Sequence, residues 1–387
     1  MQMCKDGYAR DFPRPADAVQ DSAGRGAGIL VGHLDSGIDP QHPAFKDAIR
    51  DYRFYDYKGI YDEAVAPHDT TGHGTVMAGL LAGRATANWA GGAAPTAELL
   101  AAAVIESGHQ IARILSGLVW MLEEPVRIVN LSIGISGWNP VFQPLIRALC
   151  QKGVLVVAAI GNGGAGQFCS PGAYPEVLSV GAADETGKAL PFSGSKNEFM
   201  HCHKPDILGL CTLRSIRQGE GFYEGNTGTS GATAFVSGVA AQLMSLVPEA
   251  TAAQIAYALK TTVLPLLPEQ KHRSQAGLIQ PLAAAALLKT LPTAPKANFG
   301  EVYERFRDES MLFHMTYAPP EHFVSAILYV QSKGTLDNFM GRTTVRQDAV
   351  SFCYLHEKYG YAFVTAMKVQ WEAWWENEEV VMISRVS

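Results

Sequence analysis

The stretch Val154-Leu-Val-Val-Ala-Ala-Ile-Gly-Asn162 places seven consecutive apolar residues before a Gly-Asn pair. Seven residues are short for a core helix, and an unbroken Val/Leu/Ile/Ala run leaves no face for water, so the segment reads as a strand buried on both sides. The Gly-Asn pair then marks a turn. Similar apolar runs fall at 28–35, 98–105, 126–133 and 177–182, interleaved with helical patterns at 73–82, 110–123, 140–151 and 229–247. That rhythm predicts an α/β fold, a mostly parallel sheet covered by helices on both faces. Helical stretches near 251–262 and 278–290 end this unit.

Composition narrows the function classes. The chain has 387 residues, 47% hydrophobic and 18% charged, enough for one large core plus a smaller domain. A formal charge of −6 argues against nucleic-acid binding, and no polybasic run points to an anionic membrane. No segment approaches the ~20 apolar residues of a membrane span, and residues 1–10 lack an apolar signal core. Six scattered cysteines (Cys4, Cys150, Cys169, Cys202, Cys211, Cys353) suit reduced thiols better than a disulfide framework. The expectation is a cytoplasmic protein whose partners are peptides or proteins, with no nucleic acid and no membrane. Its oligomeric state stays open. His201-Cys202-His203 with Cys211 matches no common zinc spacing, so no metal is expected there.

Three separated segments carry the chemistry: Asp35 in Val31-Gly-His-Leu-Asp-Ser-Gly-Ile-Asp39, His73 in Thr71-Gly-His-Gly-Thr75, and Ser230 in Asn226-Thr-Gly-Thr-Ser-Gly-Ala232. A serine hydroxyl must lose its proton to a neighbouring base as it attacks, and histidine has the suitable pKa. A carboxylate then sets the imidazole tautomer and stabilises the imidazolium. Taken singly, each segment reads as a turn, loop or helix cap. Together, at strand ends and helix starts, they read as a Ser-His-Asp triad.

These motifs resemble those of the subtilases over roughly residues 22–290. Asp35-Ser-Gly-Ile-Asp39 with His42-Pro43 resembles the family's aspartate motif, His73-Gly-Thr75 its histidine motif, and Gly228-Thr-Ser-Gly-Ala-Thr233 its serine motif. The resemblance implies a subtilisin-like fold and serine endopeptidase activity. It makes Asn162 a side-chain donor to the oxyanion hole, with the Ser230 backbone N–H as the second donor. The matching substrate segment is Leu131-Ser-Ile-Gly-Ile135, where Ile135 replaces a glycine and should narrow or reshape the first specificity pocket. A bound peptide would pair as an extra strand along this segment and one near Ser107-Gly108. The loop Gly163-Gly-Ala-Gly-Gln-Phe-Cys-Ser-Pro171 would supply the pocket floor, with Cys169 in it. Ala159, Gly161 and Thr229 complete the expected substrate-binding set, which includes Leu131, Ser132, Ile133, Gly134 and Ile135.

The departures from the family pattern carry expectations too. Gly231 stands where many subtilases have Met, and should open space beside the nucleophile. Ala234 replaces a proline in what is expected to be the first turn of its helix. Both suggest an alternative in which an amine captures the acyl-enzyme, as in subtilases that mature ribosomal peptides; a catalytically idle peptide-binding scaffold is a third reading. No cofactor is expected. Ala44 follows His42-Pro43 where calcium-binding relatives offer a carboxylate, and 84–90 has few oxygen ligands. Asp51, Asp56, Asp62 and Glu63 read as a solvated acidic loop.

The ends differ from the core. Residues 1–26 read as an irregular arm, too short for a folded propeptide, so that such a segment or an export signal either does not exist or was removed; 27–292 read as the peptidase domain, and 293–300 as a proline-containing linker. Residues 301–387 hold 15 of the chain's 36 aromatic residues, which suggests a second folded unit of α/β or α+β type with an unknown role. Within it, 319–330 and 349–370 read as helices and Val380–Ser384 as a strand.

Overall fold

The computed structural model describes residues 24–106, 110–195, 203–219 and 221–291, and the backbone of strands at 312–316, 325–332 and 379–386. In chain order the first strands are β1 (Leu30–Asp35), β2 (Ile49–Phe54), β3 (Glu98–Ala103) and β4 (Ile128–Leu131). A short antiparallel pair, β5 (Ile135–Ser136) and β7 (Cys169–Ser170), flanks β6 (Leu155–Ala159) in the chain. Then come β8 (Leu178–Ala183), β9 (Ile207–Leu210), the pair β10 (Ser215–Ile216) and β11 (Phe222–Tyr223), and β12 (Leu264–Pro265) and β13 (Gly277–Leu278). The main sheet runs β2-β3-β1-β4-β6-β8-β9-β13-β12, parallel throughout except for β12 at its edge.

Helices cover both faces because successive residues of each strand point to opposite sides and both sides are apolar. Leu99, Ala101 and Ala103 face one buried cluster, while Leu100, Ala102 and Val104 face the other. The first cluster is closed by α1 (His73–Ala82), α4 (Gly228–Leu246), α5 (Ala252–Thr261) and α6 (Pro281–Thr290). The second is closed by α2 (Gln110–Glu123) and α3 (Gln143–Gln151), whose Leu118, Met121, Ile146 and Leu149 are fully buried. At roughly 1.5–3 kcal/mol for each such side chain, this two-sided burial dominates the stability of the unit. Every residue of α1 from Gly74 to Ala82 is buried, which its run of small and apolar side chains permits.

The expected elements are present with trimmed ends. The helix expected over 140–151 begins as a 3-10 turn, Pro140–Phe142, and the one over 278–290 starts at Pro281, a residue suited to a first helical position. Strand β2 was not foreseen, because its Ile-Arg-Asp-Tyr-Arg-Phe sequence is that of a half-exposed edge strand. Beyond residue 300, β14 (Leu312–Thr316), β15 (Ser325–Ser332) and β16 (Glu379–Val386) form a three-stranded antiparallel sheet. The helix expected over 319–330 is therefore corrected: from Ser325 the Ile-Leu-Tyr-Val run pairs on both sides as a strand. The strand expected at Val380–Ser384 lies within β16, and the helix expected over 349–370 lies outside the described residues.

The order of strands reverses at β1, which has β3 on one side and β4 on the other. Open parallel sheets hold their sites outside the carboxyl ends of the strands at such a point. Asp35 is the last residue of β1.

Candidate active site

The Asp35 carboxylate is fully buried, and its Oδ1 accepts from the Ser36 N–H at 2.7 Å and from Nδ1 of His73 at 2.6 Å. A carboxylate only accepts, so the proton sits on Nδ1 and Nε2 of a neutral His73 keeps its lone pair. His73 opens α1 immediately after Gly72, whose φ of 80° suits glycine and makes the sharp entry possible. The Asp35 charge raises the pKa of His73 above its ordinary 6.5, against burial, which pulls it down. The imidazolium is thus stabilised where the chemistry would form it.

Motif reading passed over Asp69, four residues before His73. Its Oδ1 accepts from the Ser36 hydroxyl and the N–H groups of Thr71 and Gly72, and its Oδ2 from the N–H and hydroxyl of Thr75. Burial opposes its charge, yet the hydrogen bonds from Thr75, Ser36 and Thr71 outweigh burial and hold its pKa below the ordinary carboxylate value. Asp69 therefore pins the loop ahead of α1 to the end of β1. A single loop Asp in sequence looks like any turn cap.

Ser230 is the third residue of α4 and donates its hydroxyl to the Ser132 carbonyl oxygen at 3.0 Å, while the Ser132 hydroxyl donates back to the Ser230 carbonyl at 3.0 Å. Asn162, at the turn after β6, accepts through Oδ1 from the N–H of Thr229 at 2.9 Å and from its hydroxyl at 3.0 Å. The backbone donor decides how the amide faces and leaves Nδ2 free to donate elsewhere. At the start of α4 the Gly228 N–H meets Oδ1 of Asn226, the Thr229 N–H meets Asn162, and the Gly231 N–H meets the Thr227 carbonyl. Among the described residues the Ser230 N–H has no acceptor, as helix starts allow. Asn162 packs directly on Gly228, where a Cβ would lie 2.9 Å from Nδ2. The helix start and the amide thus offer two donors beside the Ser230 hydroxyl.

The residues expected to line the substrate cleft divide. Ser107 and Gly108 lie outside the described residues. Gly134 is exposed and Gly161 partly so, but Leu131 is fully buried and Ile133 nearly so, both in the core cluster beneath α2 and α3. Leu131 cannot lie against a peptide as expected, because alternation along β4 points it inward. Ala159 and Thr229 are buried too, and Thr229 serves by holding Asn162. Ile135 packs against the same core from β5. The side chain that occupies the gap between Gly134 and Gly161 is Cys169: a Cβ on Gly134 would stand 2.7 Å from Cys169 Cβ, and one on Gly161 2.7 Å from its Sγ. Burial raises the Cys169 pKa above the ordinary thiol value, which disfavours the reactive thiolate.

Two further expectations are corrected. Gly231 opens no space, because it is buried and a Cβ there would lie 1.7 Å from Oγ1 of Thr227, one helical turn earlier. Thr227 is held in that position by its hydrogen bond to the Cys211 carbonyl at 2.6 Å. Ala234 is the seventh residue of α4 and lies in its second turn, not its first. As for cations, Asp56 and Asp62 accept from backbone N–H groups of their own turns. Among the described residues no group of three or more His, Cys, Asp or Glu is placed to hold a metal ion.

Comparison with known proteins agrees with this geometry. The model of the Peptidase_S8 subtilase family matches residues 26–297. Subtilisin-like protease PopC of Myxococcus xanthus is 31% identical over 293 residues, covering 66% of this chain and 59% of PopC. An intracellular serine protease of Paenibacillus polymyxa is 32% identical over 61% of this chain and 74% of its own length. The solved structure of the prenylagaramide maturation protease PagA is similar at a TM-score of 0.59 and 25% identity, covering 72% of this chain and 99% of PagA. The motifs at Asp35, His73 and Ser230, the parallel sheet that places them and the match across residues 26–297 lead to one conclusion: the chain belongs to the subtilase family of subtilisin-like serine proteases.

Proposed function

We propose that this protein is a serine endopeptidase that hydrolyses peptide bonds through an acyl-enzyme, acting as a selective processing protease that removes a leader from a precursor peptide. The observation that carries the chemistry is the Asp35–His73 hydrogen bond, with Ser230 at the start of α4 and Asn162 held on the neighbouring Thr229. In the first step the Ser230 hydroxyl exchanges the Ser132 carbonyl for Nε2 of His73, gives up its proton there and attacks the scissile carbonyl. The Ser230 N–H and Asn162 Nδ2 hold the oxyanion, and Asp35 stabilises the imidazolium. Collapse expels the amine, which takes the proton from His73. Water, deprotonated by the same histidine, then hydrolyses the ester.

Selectivity is supported by Cys169, which narrows the gap between Gly134 and Gly161 and favours small side chains next to the cut. A processing role is supported by the likeness to PagA, described as a maturation protease. A cytoplasmic site of action is supported by the intracellular relative; among the described residues no helix is long and apolar enough to cross a membrane. The C-terminal sheet supports an accessory domain over 301–387, beyond a linker at 293–300. Transfer of the acyl group to an amine loses its support, since the space expected at Gly231 is filled by Thr227.

The test is a fluorophosphonate label mapped to its residue, followed by mass spectrometry of products from a diverse peptide library. Labelling of Ser230 with cleavage after small residues in a narrow motif is expected. Broad cleavage would replace processing with general turnover, and an unlabelled Ser230 would leave a binding scaffold.

Two further results are expected. Asn162→Ala removes one oxyanion donor; the same change in a subtilisin lowers turnover about 10²- to 10³-fold, and a similar loss with little change in KM is expected here. Since His73 must be neutral to act, kcat/KM should fall about tenfold per pH unit as pH drops through its raised pKa. An acid limb centred below 6.5 would contradict that assignment.

A further inference from the structure

His33 stands two residues before Asp35 on β1 and is fully buried, yet no proposed step uses it. Its hydrogen bonds define its state. Nε2 lies 3.0 Å from the carbonyl oxygen of Gly74, which can only accept, so Nε2 carries the proton. Nδ1 is then an acceptor, and Nδ2 of Asn130 lies 3.4 Å from it, a long link but one that the sheet register enforces by setting His33 beside Asn130. The Asn130 amide is oriented independently, because its Oδ1 accepts the Ser237 hydroxyl of α4 at 2.9 Å. Its Nδ2 also donates to the Ser132 hydroxyl at 3.1 Å, which donates in turn to the Ser230 carbonyl at 3.0 Å.

One buried chain of hydrogen bonds therefore runs from Gly74, next to His73, across β1 and β4 to Ser230. Each donor in it meets an acceptor only if His33 is the neutral Nε2–H tautomer. A second proton on Nδ1 would face the Asn130 amide donor. The charged or titratable groups around it are Asp35 on its own strand, His73 at the start of α1 and Asp69 in the preceding loop; burial, helped by His73, outweighs the two carboxylates and pushes its pKa below 6.5.

We propose that His33 is a positioning residue, which ties the start of α1 to the Asn130–Ser132–Ser230 segment and so holds base and nucleophile in register. The inference rests on the Ser230–His73 chemistry proposed above. The test compares His33→Val, which removes both hydrogen bonds, with His33→Gln, whose amide can still donate to Gly74. Steady-state kinetics on a fluorogenic peptide are read beside proton–nitrogen spectra of protein labelled at histidine nitrogens.

In His33→Val, kcat should fall about 10- to 100-fold with KM within about twofold, the size expected when reacting groups lose alignment. The His73 Nδ1–H resonance should weaken through exchange with water, and His33→Gln should recover most of both. Wild-type kcat and an unchanged His73 resonance in His33→Val would overturn the proposal, as would losses that merely track the unfolded fraction in both variants. Should His33→Val not fold, His33→Asn keeps the acceptor for Asn130 but loses the donor to Gly74, and wild-type behaviour in it has the same force. If the wild type neither cleaves nor labels at Ser230, the proposed function fails. The His73 resonance still decides the role of His33.

Discussion

Ser230→Ala is expected to lower turnover by roughly 10⁶-fold while leaving the fold and peptide binding in place. Alanine suits the third position of α4, and the substitution removes just one hydrogen bond, from the hydroxyl to the Ser132 carbonyl. What disappears is the proposed nucleophile and, with it, the proposed route to the acyl-enzyme. The residual rate should still exceed that in water, because the proposed oxyanion donors, Asn162 and the residue-230 N–H, are left in place. Progress curves on a peptide substrate, with thermal midpoints measured in parallel, would check this. A variant retaining more than about a hundredth of wild-type turnover would remove Ser230 from the nucleophile's role.

Asp35→Asn should cost about 10⁴-fold in kcat, for a reason visible in the proton bookkeeping. In the wild type the buried carboxylate accepts from Nδ1–H of His73, which leaves Nε2 unprotonated and able to take the serine proton. An asparagine can present its amide hydrogens to Nδ1, and the imidazole then carries its proton on Nε2, facing the nucleophile with a donor. The proposed base is then lost although nothing has moved. Since Asp35 is the largest cause of the raised His73 pKa, that pKa should also drop, by an amount readable from the histidine proton–nitrogen spectrum. The sign for stability follows: the raised pKa favours the fold at low pH, most fully below 6.5, and this contribution fades as pH rises through the raised value. The variant should lose that acid-side gain. Activity within tenfold of wild type, or an unshifted His73, would show that Asp35 does not set the tautomer.

Much of this was legible in the chain because it is encoded locally. Unbroken apolar runs announced buried parallel strands, and the small residues around Asp35, His73 and Ser230 announced tight turns at strand ends and helix starts. The errors are equally physical. Leu131 and Ile135 look like cleft residues when read along the chain, but alternation in β4 and packing from β5 turn them toward the core. Gly231 looks like a vacancy until Thr227 is seen standing in it. Residues 325–330 follow a Pro-Pro-Glu start that suits a helix, yet two antiparallel partners, the farther some fifty residues away in the chain, make them a strand.

By itself, then, the sequence determined the α/β architecture, the order Asp35, His73, Ser230 and the turn that carries Asn162, since periodicity, glycine placement and residue chemistry act over a few neighbouring positions. Only the tertiary structure decided which polar atom meets which. The pairing of Asp69 with Ser36, the capture of Asn162 by Thr229, the thiol between Gly134 and Gly161, and the alignment of His33 with Asn130 all join segments distant in the chain. Those contacts are set by the register of parallel strands and the docking of helices on them. Register is a property of the assembled sheet, and no local pattern of residues states it.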